Sequence, residues 1–317
     1  IAQTGIWPDE KIKVNTNSKL IYCILTHKAD EYLMREIAAM FYENISIIMY
    51  FDQHVSTANM SALFKQEISS RKYTKKYNLQ SNWLENVFVI NRPAMIGYWG
   101  SFNLPLIQLI LMTAAIKYFP NALYLSYHSG ADYRVVSNKY ILDYLESHYP
   151  DNYMSSTANP WQPTRIYRFW WPWKEGERFM PILAYLFPNR TIPKYNFHFG
   201  SQWFTITIKD AMKILKKAQT KYEILEFFEH TVVPDEALFQ TLAAEANVTT
   251  TTRYLRFIDW TRPCTDHCPH TMINASFAKV MKTPCAFWAR KGRLPDSFQF
   301  CERIDEIVDS RYGMCKM

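Results

Sequence analysis

The chain of 317 residues is 48% hydrophobic and 21% charged, a composition that is typical of a globular protein and excludes a disordered one. Its net charge of +7 includes no block of like charges and no basic stripe, which argues against a nucleic-acid-binding protein. A modest positive charge fits binding of a diphosphate or an acidic glycan, and it also fits solubility alone.

Short apolar runs alternate with helical patterns in the first half of the chain. The apolar runs predict four buried strands, over residues 20–25, 46–51, 87–90 and 122–127. Apolar residues at helical spacing predict the helices between them, over residues 29–43, 60–71 and 99–119. This alternation predicts an α/β fold with a mostly parallel, Rossmann-like sheet and helices on both faces. Ligands of such folds bind at the carboxyl ends of the strands.

The second half of the chain has a different composition. Residues 151–205 are rich in Pro, Trp, Tyr and Arg, which predicts either a long irregular loop region over the site or an aromatic plug against the sheet. Helical spacing returns over residues 209–218, 222–230 and 236–246.

Cysteines and glycosylation motifs indicate an oxidising lumen. The N-glycosylation pattern occurs at Asn44, Asn59, Asn189, Asn247 and Asn274. The chain has six cysteines, an even number that favours disulfides, at positions 23, 264, 268, 285, 301 and 315. It begins at Ile1 and has no apolar stretch long enough to span a bilayer, so we expect an N-terminal signal or anchor outside this sequence.

The stretch Cys264-Thr-Asp-His-Cys268-Pro-His270 has two interpretations. Cysteine and histidine at this spacing could ligate zinc, as the core of a zinc-dependent enzyme. In a chain with five glycosylation motifs, disulfides are favoured, with their partners left open.

Two carboxylates open the helix that is predicted from residue 236. Asp235, in Val233-Pro-Asp-Glu236, is placed to cap this helix, and Glu236 would lie in its first turn, where the helix dipole favours negative charge. An ionised carboxylate in a cleft can act as a general base on a hydroxyl group. The same residues also fit an ordinary helix start.

Arg290 and Lys291 follow the apolar run Cys285-Ala-Phe-Trp288. Two adjacent cations could hold a diphosphate, and a solvated basic pair is the alternative. Asp52 ends the second predicted strand, but the chain has no Asp-x-Asp motif, which usually supplies metal ligands in nucleotide-sugar transferases. If the chain is such a transferase, we expect cationic side chains in place of the metal.

Several segments, taken in order, resemble the core-2/I-branching N-acetylglucosaminyltransferase family, which also includes peptide O-xylosyltransferases. The segments run from about residue 20 to 305 and are Ile21–Lys28, Ile47–Asp52, Val87–Arg92, Tyr98–Ser101, Leu123–Tyr133, Gly200–Phe204, Pro234–Glu236, Phe287–Lys291 and Arg303–Asp305. Tyr98–Ser101 and Gly200–Phe204 are closer to the xylosyltransferases, whereas Pro234–Glu236 is closer to the branching enzymes.

The resemblance implies a GT-A-type fold and an inverting transfer from a UDP-sugar to a glycan or glycoprotein, without a metal or other cofactor. UDP-GlcNAc and a β-1,6 branch are favoured, and UDP-xylose with a peptide acceptor is the alternative. A non-catalytic sugar-binding protein on the same fold is a further hypothesis. The resemblance also implies a type II membrane protein of the Golgi or ER lumen.

The predicted domain organisation follows from this resemblance. Residues 1–18 would be a lead-in and 19–317 a single catalytic domain. Within it, residues 19–150 would form the nucleotide-sugar-binding half, and residues 151–317 the acceptor-binding and catalytic half.

The resemblance also gives roles to individual residues. Glu236 would be the catalytic base and Lys291 a contact of the donor diphosphate, with Arg290, Arg168 and Arg178 as candidates for a second contact. The remaining expected contacts are Thr26, His27 and Asp52 with the uridine and ribose, Trp99 and Asp132 with the donor pocket, and Trp203 and Glu177 with the acceptor.

Overall fold

The structure is a computed structural model that describes residues 17–53, 55, 57–90, 95–158, 163–168, 170, 190–251, 253–260, 269–310 and 315. The described residues form eight strands: β1 (Leu20–Thr26), β2 (Ile45–Phe51), β3 (Val87–Ile90), β4 (Tyr124–Ser129), β5 (Asp132–Arg134), β6 (Thr205–Thr207), β7 (Arg256–Ile258) and β8 (Trp288–Arg290). A five-stranded sheet has the order β3-β2-β1-β4-β6, and a three-stranded sheet has the order β5-β8-β7.

The central sheet is mostly parallel. β1 pairs in parallel with β2 and β4, β2 pairs in parallel with β3, and only β6 runs antiparallel, on β4. From β1 the chain adds β2 and β3 on one side of the sheet, and β4 then pairs on the other side of β1. The carboxyl ends of two such strands form a crevice, which is the usual ligand site of open α/β sheets.

The helices flank this sheet. They are α1 (Glu31–Met40), α2 (Thr57–Ser70), α3 (Lys72–Lys76), α4 (Asn103–Tyr118), α5 (Asn138–Ser147), α6 (Pro163–Tyr167), α7 (Ile208–Thr220), α8 (Tyr222–Glu229), α9 (Leu238–Glu245), α10 (Ser276–Lys282) and α11 (Phe298–Ile307). Asp30, Ser137 and Thr207 cap α1, α5 and α7, each accepting a hydrogen bond from a backbone N–H of the first turn.

Alternating residues of β1 build two separate cores. Ile21 and Cys23 pack with α4, α7, α8 and α9 on one face of the sheet. Leu20, Tyr22 and Ile24 pack with α1 and α5 on the other face. Because successive side chains of a strand point to opposite faces, one continuous apolar run serves both cores. This arrangement confirms the predicted mostly parallel sheet with helices on both faces.

Two predicted helices begin later than the sequence indicated. The helix predicted from residue 99 begins at Asn103. The helix predicted from residue 236 begins at Leu238, and its N-cap position is Ala237, so the prediction that Asp235 caps it was wrong. Val233 has a left-handed backbone with φ of 52°, which starts a separate 3-10 helix over Pro234–Glu236 before α9.

The cysteines behave in two ways. Cys285 and Cys315 form a disulfide, as predicted for this end of the chain. Cys23 and Cys301 are buried free thiols, and burial raises the pKa of both, that of Cys301 to about 12. Both lie within hydrophobic clusters, where free cysteine acts as a small apolar residue. Cys264 and Cys268 lie outside the described residues.

The helices differ in length and in apolar content. Over the described ranges, none of the helices is both long enough and apolar enough to cross a bilayer. The most apolar predicted stretch forms α4, whose side chains pack against the central sheet as the sequence indicated.

Candidate active site

Basic side chains from the ends of β1 and β8 lie close together. Arg290 ends β8, and Lys291 follows it. Partial burial lowers the pKa of Lys291, and the positive charges of Arg290, Arg293 and Lys28 lower it further. Burial also lowers the pKa of His27, and the charges of Lys28 and Lys291 add to this effect. An anion would relieve the repulsion among these groups, so the cluster suits a phosphate-bearing ligand.

Arg290 lies between an aromatic ring and a carboxylate, and it is only 8% exposed. Its guanidinium carbon is 4.1 Å from the centre of the Trp203 ring, and its Nε is 3.6 Å from Asp132 Oδ1. Its Nε and Nη1 make no hydrogen bond to any described residue. Buried donors without acceptors are costly, and a guanidinium matches phosphate oxygens well. Arg290 is therefore suited to binding a phosphate group.

Asp132 is fully buried in a hydrogen-bonded chain next to Arg290. His128 Nδ1 lies 3.1 Å from Asp132 Oδ2, and His128 Nε2 lies 2.9 Å from Ser126 Oγ. Burial and the charge of Arg256 lower the pKa of His128 to about 4, so the ring is neutral at pH 7 and its Nδ1–H donates to Asp132. Burial raises the pKa of Asp132, but the charge of Arg290 and the His128 hydrogen bond produce a net lowering. We expect Asp132 to act by orienting Arg290.

Thr26 and Asp52 lie at the carboxyl ends of β1 and β2, as predicted from the sequence. The Asp52 N–H donates to the Thr26 carbonyl at 2.9 Å, which ties the two strand ends together. A Cβ on Gly130 would lie 2.3 Å from Thr26 Oγ1, so only glycine allows the end of β4 to approach β1 this closely. Asp52 Oδ2 accepts a hydrogen bond from the Gly97 N–H. The contacts of Thr26 and Asp52 with a nucleotide remain predictions.

Trp99 lies in the loop before α4 and is 73% exposed. Its neighbour Gly100 has a φ of 79°, a backbone conformation that favours glycine. The Gly100 carbonyl accepts a hydrogen bond from the Val233 N–H at 3.1 Å. This bond places the Trp99 loop beside the turn that carries Glu236.

Glu236 ends the 3-10 helix with its side chain 42% exposed. Its Oε2 forms an ion pair with Arg165 Nη1 of α6 at 2.8 Å. The preceding Asp235 is 3% exposed, and its Oδ1 makes no hydrogen bond within the described part of the chain. Burial, and then the negative charge of Glu236, raises the pKa of Asp235 to about 7. The turn therefore presents one accessible carboxylate and hides another.

Residues 200–203 connect the backbone of Glu236 to the basic cluster. The Gly200 N–H donates to the Glu236 carbonyl at 2.9 Å, and at the other end of the segment Trp203 stacks against Arg290. The Gln240 amide holds the middle of the segment through the Ser201 carbonyl at 2.8 Å. Three residue steps span at most about 11 Å of chain. The structure thus brings Glu236 and Arg290 to the two ends of one short segment.

The remaining predicted residues differ in exposure, and some lie outside the described residues. Arg168 is half-buried just after α6, and Glu177, Arg178 and Asn189 lie outside the described residues. Of the remaining glycosylation motifs, Asn59, Asn247 and Asn274 are exposed and Asn44 is half-buried. In the described ranges, no group of three or more His, Cys, Asp or Glu side chains could hold a metal ion.

The sequence interpretation missed Arg165, His128 and Arg256. Arg165 is a single basic residue in an irregular stretch, and it meets Glu236 across 71 positions, so local pattern gives no signal for it. His128 lies in a segment that was quoted for the family resemblance, and its spacing of four from Asp132 was the available sign. Arg256, on β7, is recognisable only once the fold brings its guanidinium to Ser126 Oγ of β4 at 3.0 Å.

The mostly parallel sheet flanked by helices is consistent with a GT-A-like glycosyltransferase fold. A sequence profile described as the Core-2/I-Branching enzyme matches residues 20–283, and the chain belongs to this family. Membership makes it a UDP-sugar glycosyltransferase of the core-2/I-branching type, which confirms the predicted family, fold class and enzyme class. The chain matches no curated protein sequence.

Proposed function

We propose that this chain is an inverting, metal-independent transferase that moves GlcNAc from UDP-GlcNAc to a glycan or glycoprotein acceptor in a β-1,6 branch. The acceptor hydroxyl attacks the anomeric carbon, and its proton passes to Glu236. The bond from that carbon to the diphosphate oxygen breaks, and UDP leaves from the opposite face. Attack and departure on opposite faces invert the configuration at the anomeric carbon.

One observation carries this proposal. Residues 200–203 join Glu236, through Gly200, to Arg290, through Trp203. A base for the acceptor and cations for the leaving group are needed on the two sides of one sugar, and one short segment contacts the residue that carries the proposed base at one end and a proposed leaving-group cation at the other.

The basic cluster supports the role of the cations. Arg290 offers buried N–H donors that no described residue accepts, and Lys291 adds a second positive charge. Negative charge grows on the diphosphate as UDP leaves, and fixed cations in a partly dry site stabilise it strongly. Together with the absence of an Asp-x-Asp sequence, this favours transfer without a metal ion.

The acceptor and the compartment are also proposals. Trp99, which is 73% exposed, offers an aromatic face for a sugar ring beside the turn that carries Glu236, whereas the ring of Trp203 is buried against Arg290. The Cys285–Cys315 disulfide and three exposed glycosylation motifs support a lumenal location, in the Golgi or ER, with an N-terminal anchor outside this sequence.

Donor selection tests the proposal directly. The purified protein would be titrated in EDTA with UDP-GlcNAc, UDP-xylose, UDP-glucose, UDP-galactose and UDP-glucuronic acid, following binding and UDP release. We expect selective recognition of UDP-GlcNAc. A preference for UDP-xylose would support the peptide O-xylosyltransferase alternative, which Tyr98–Ser101 and Gly200–Phe204 favour. A response only after manganese is added would contradict the metal-independent mechanism.

The base has its own prediction. Glu236→Gln keeps the size of the side chain but removes its ability to accept a proton, so we expect turnover to fall roughly 10²–10⁴-fold. UDP binding should be unchanged, because the basic cluster is intact. Steady-state kinetics and calorimetric titration with UDP measure the two effects. Wild-type turnover by this variant would remove Glu236 from the mechanism.

A further inference from the structure

Arg190 fastens α6 to the region that carries Glu236. Its Nε donates to the Ile166 carbonyl at 2.6 Å, its Nη1 to the Phe227 carbonyl at 2.8 Å, and its Nη2 to Thr231 Oγ1 at 2.6 Å. Its guanidinium carbon also lies 3.6 Å from the centre of the Phe227 ring. One side chain thus joins α6, the end of α8 and the start of the loop that leads to the 3-10 helix.

A second tie reinforces the same contact. The Trp170 N–H donates to the His230 carbonyl at 3.0 Å, and the Arg190 N–H donates to the Tyr167 carbonyl at 3.0 Å. The first bond holds a residue that follows α6 against the end of α8, and the second fastens the backbone of Arg190 to the last residue of α6. The position of α6 is therefore set by several bonds, and only one of them involves Glu236.

We call the side-chain hydrogen bonds of Arg190 the Arg190 clamp. Among the described residues, these bonds go to two carbonyls and a hydroxyl, none of them negatively charged. Burial lowers the pKa of Arg190 to about 10, which reflects the cost of removing a cation from water. A clamp of this kind suggests that the residue held by α6 has a task beyond packing.

Arg165 is the residue that α6 presents to the site. Its Nη1 donates to Glu236 Oε2 at 2.8 Å, and its side chain is 19% exposed. The other carboxylate oxygen, Oε1, makes no hydrogen bond to any residue that the structure describes. One oxygen is thus fixed by an arginine, and the second is left to accept a proton.

We propose that Arg165, presented by the Arg190 clamp, is a positioning residue that fixes the Glu236 carboxylate for proton transfer. This inference rests on the proposed role of Glu236 as the base. A general base must lie within hydrogen-bond reach of the hydroxyl proton, and a half-exposed glutamate samples several rotamers unless something holds it. The ion pair removes that freedom before the acceptor binds.

The experiment uses Arg165→Ala, with Arg303→Ala as the matched control. Arg303 also hydrogen-bonds a polar side chain, Asn274, and stacks on a ring, Phe277, but it lies on α11. We expect Arg165→Ala to lower kcat by about 10²-fold, as small misplacements of reacting groups do, with little change in either KM. Arg303→Ala should keep wild-type kinetics. Thermal unfolding of all variants checks that they are folded.

A rescue experiment separates positioning from a purely structural role. Guanidinium ions, added to Arg165→Ala far below unfolding concentrations, should restore part of kcat, because they can replace the missing partner of Glu236. Arg165→Lys should keep part of the activity, since it retains one cationic donor. Neither guanidinium ions nor lysine at position 165 should restore turnover when Glu236→Gln is also present.

Three results would overturn the inference. They are wild-type kcat in Arg165→Ala, a rise in acceptor KM with kcat unchanged, which would make Arg165 an acceptor contact, and a kcat loss that neither guanidinium nor lysine rescues. In each of these cases, a large loss of turnover in Glu236→Gln would still support Glu236 as the base. Full turnover by Glu236→Gln would instead reject the proposed function itself.

Discussion

At the scale of single residues, the pair Asp235–Glu236 shows how neighbouring carboxylates acquire different properties. Glu236 is half-exposed and paired with Arg165, whereas Asp235 is buried. Burial, and then the charge of Glu236, raises the pKa of Asp235 to about 7. Below about pH 7, Asp235 is therefore largely protonated and adds no negative charge to the turn.

This difference predicts a pH dependence of stability. The pKa of Asp235 is raised in the folded state above its ordinary 3.8, so between these values the folded protein binds more protons than the unfolded chain. The free energy of unfolding should then fall as pH rises from about 4 to about 7, by at most about 1.4 kcal/mol per pH unit. Asp235→Asn should lose this contribution.

Chemical denaturation at pH 5 and pH 7 measures it. Asp143→Asn is the control, since Asp143 is an exposed carboxylate paired with Lys139. We expect the control to keep the wild-type difference between the two pH values and Asp235→Asn to reduce it. An unchanged difference in Asp235→Asn would show that this carboxyl does not titrate differently on unfolding.

At the scale of elements, the segment 200–203 decides how the site is assembled. A Cβ on Gly200 would lie 1.7 Å from the Ser155 carbonyl oxygen and 2.6 Å from its carbon, both backbone atoms that cannot easily move. The same glycine donates its N–H to the Glu236 carbonyl. Only a residue without a side chain fits between these two backbone segments.

Gly200→Ala should therefore separate the base from the cations. We expect a loss of about 1–3 kcal/mol in stability, typical of overpacking, and a fall in kcat larger than the change in UDP binding. Gly97→Ala is the comparison, because its Cβ would meet only side-chain atoms, Leu104 Cδ2 at 3.1 Å and Asp52 Oδ2 at 3.2 Å, which can shift more easily than backbone. Thermal unfolding and kinetics of both variants provide the measurement. Equal effects of the two substitutions would contradict a special role for Gly200.

At the scale of the whole molecule, the two sequence halves share both sheets. The five-stranded sheet pairs β4 of the first half with β6 of the second. The three-stranded sheet pairs β5 of the first half with β8 of the second, with Asp132 opposite Arg290. Arg35 of α1 adds a buried link to Asp305 of α11 at 2.7 Å. The basic cluster thus contains residues from both halves, Lys28 and Lys291 among them. The division into donor-binding and acceptor-binding halves remains a prediction.

The sequence by itself determined four of the five strands of the central sheet, their parallel direction and the family. Apolar runs such as 20–25 and 87–90 are strong signals, because a strand buried on both faces has no polar alternation to obscure it. Glu236 and Lys291 could be named because they lie in segments that resemble the family. Strands of three residues, β5, β6, β7 and β8, carry too little periodicity to be predicted.

Tertiary structure alone decided which distant residues meet. The pairing of Arg165 with Glu236, the stacking of Arg290 on Trp203 and the burial of Asp235 depend on contacts between segments that are far apart in sequence. Local patterns record which face of an element is apolar, but they do not record its partner. The ionisation of each carboxylate was likewise fixed by burial and neighbouring charge, which exist only in the folded chain.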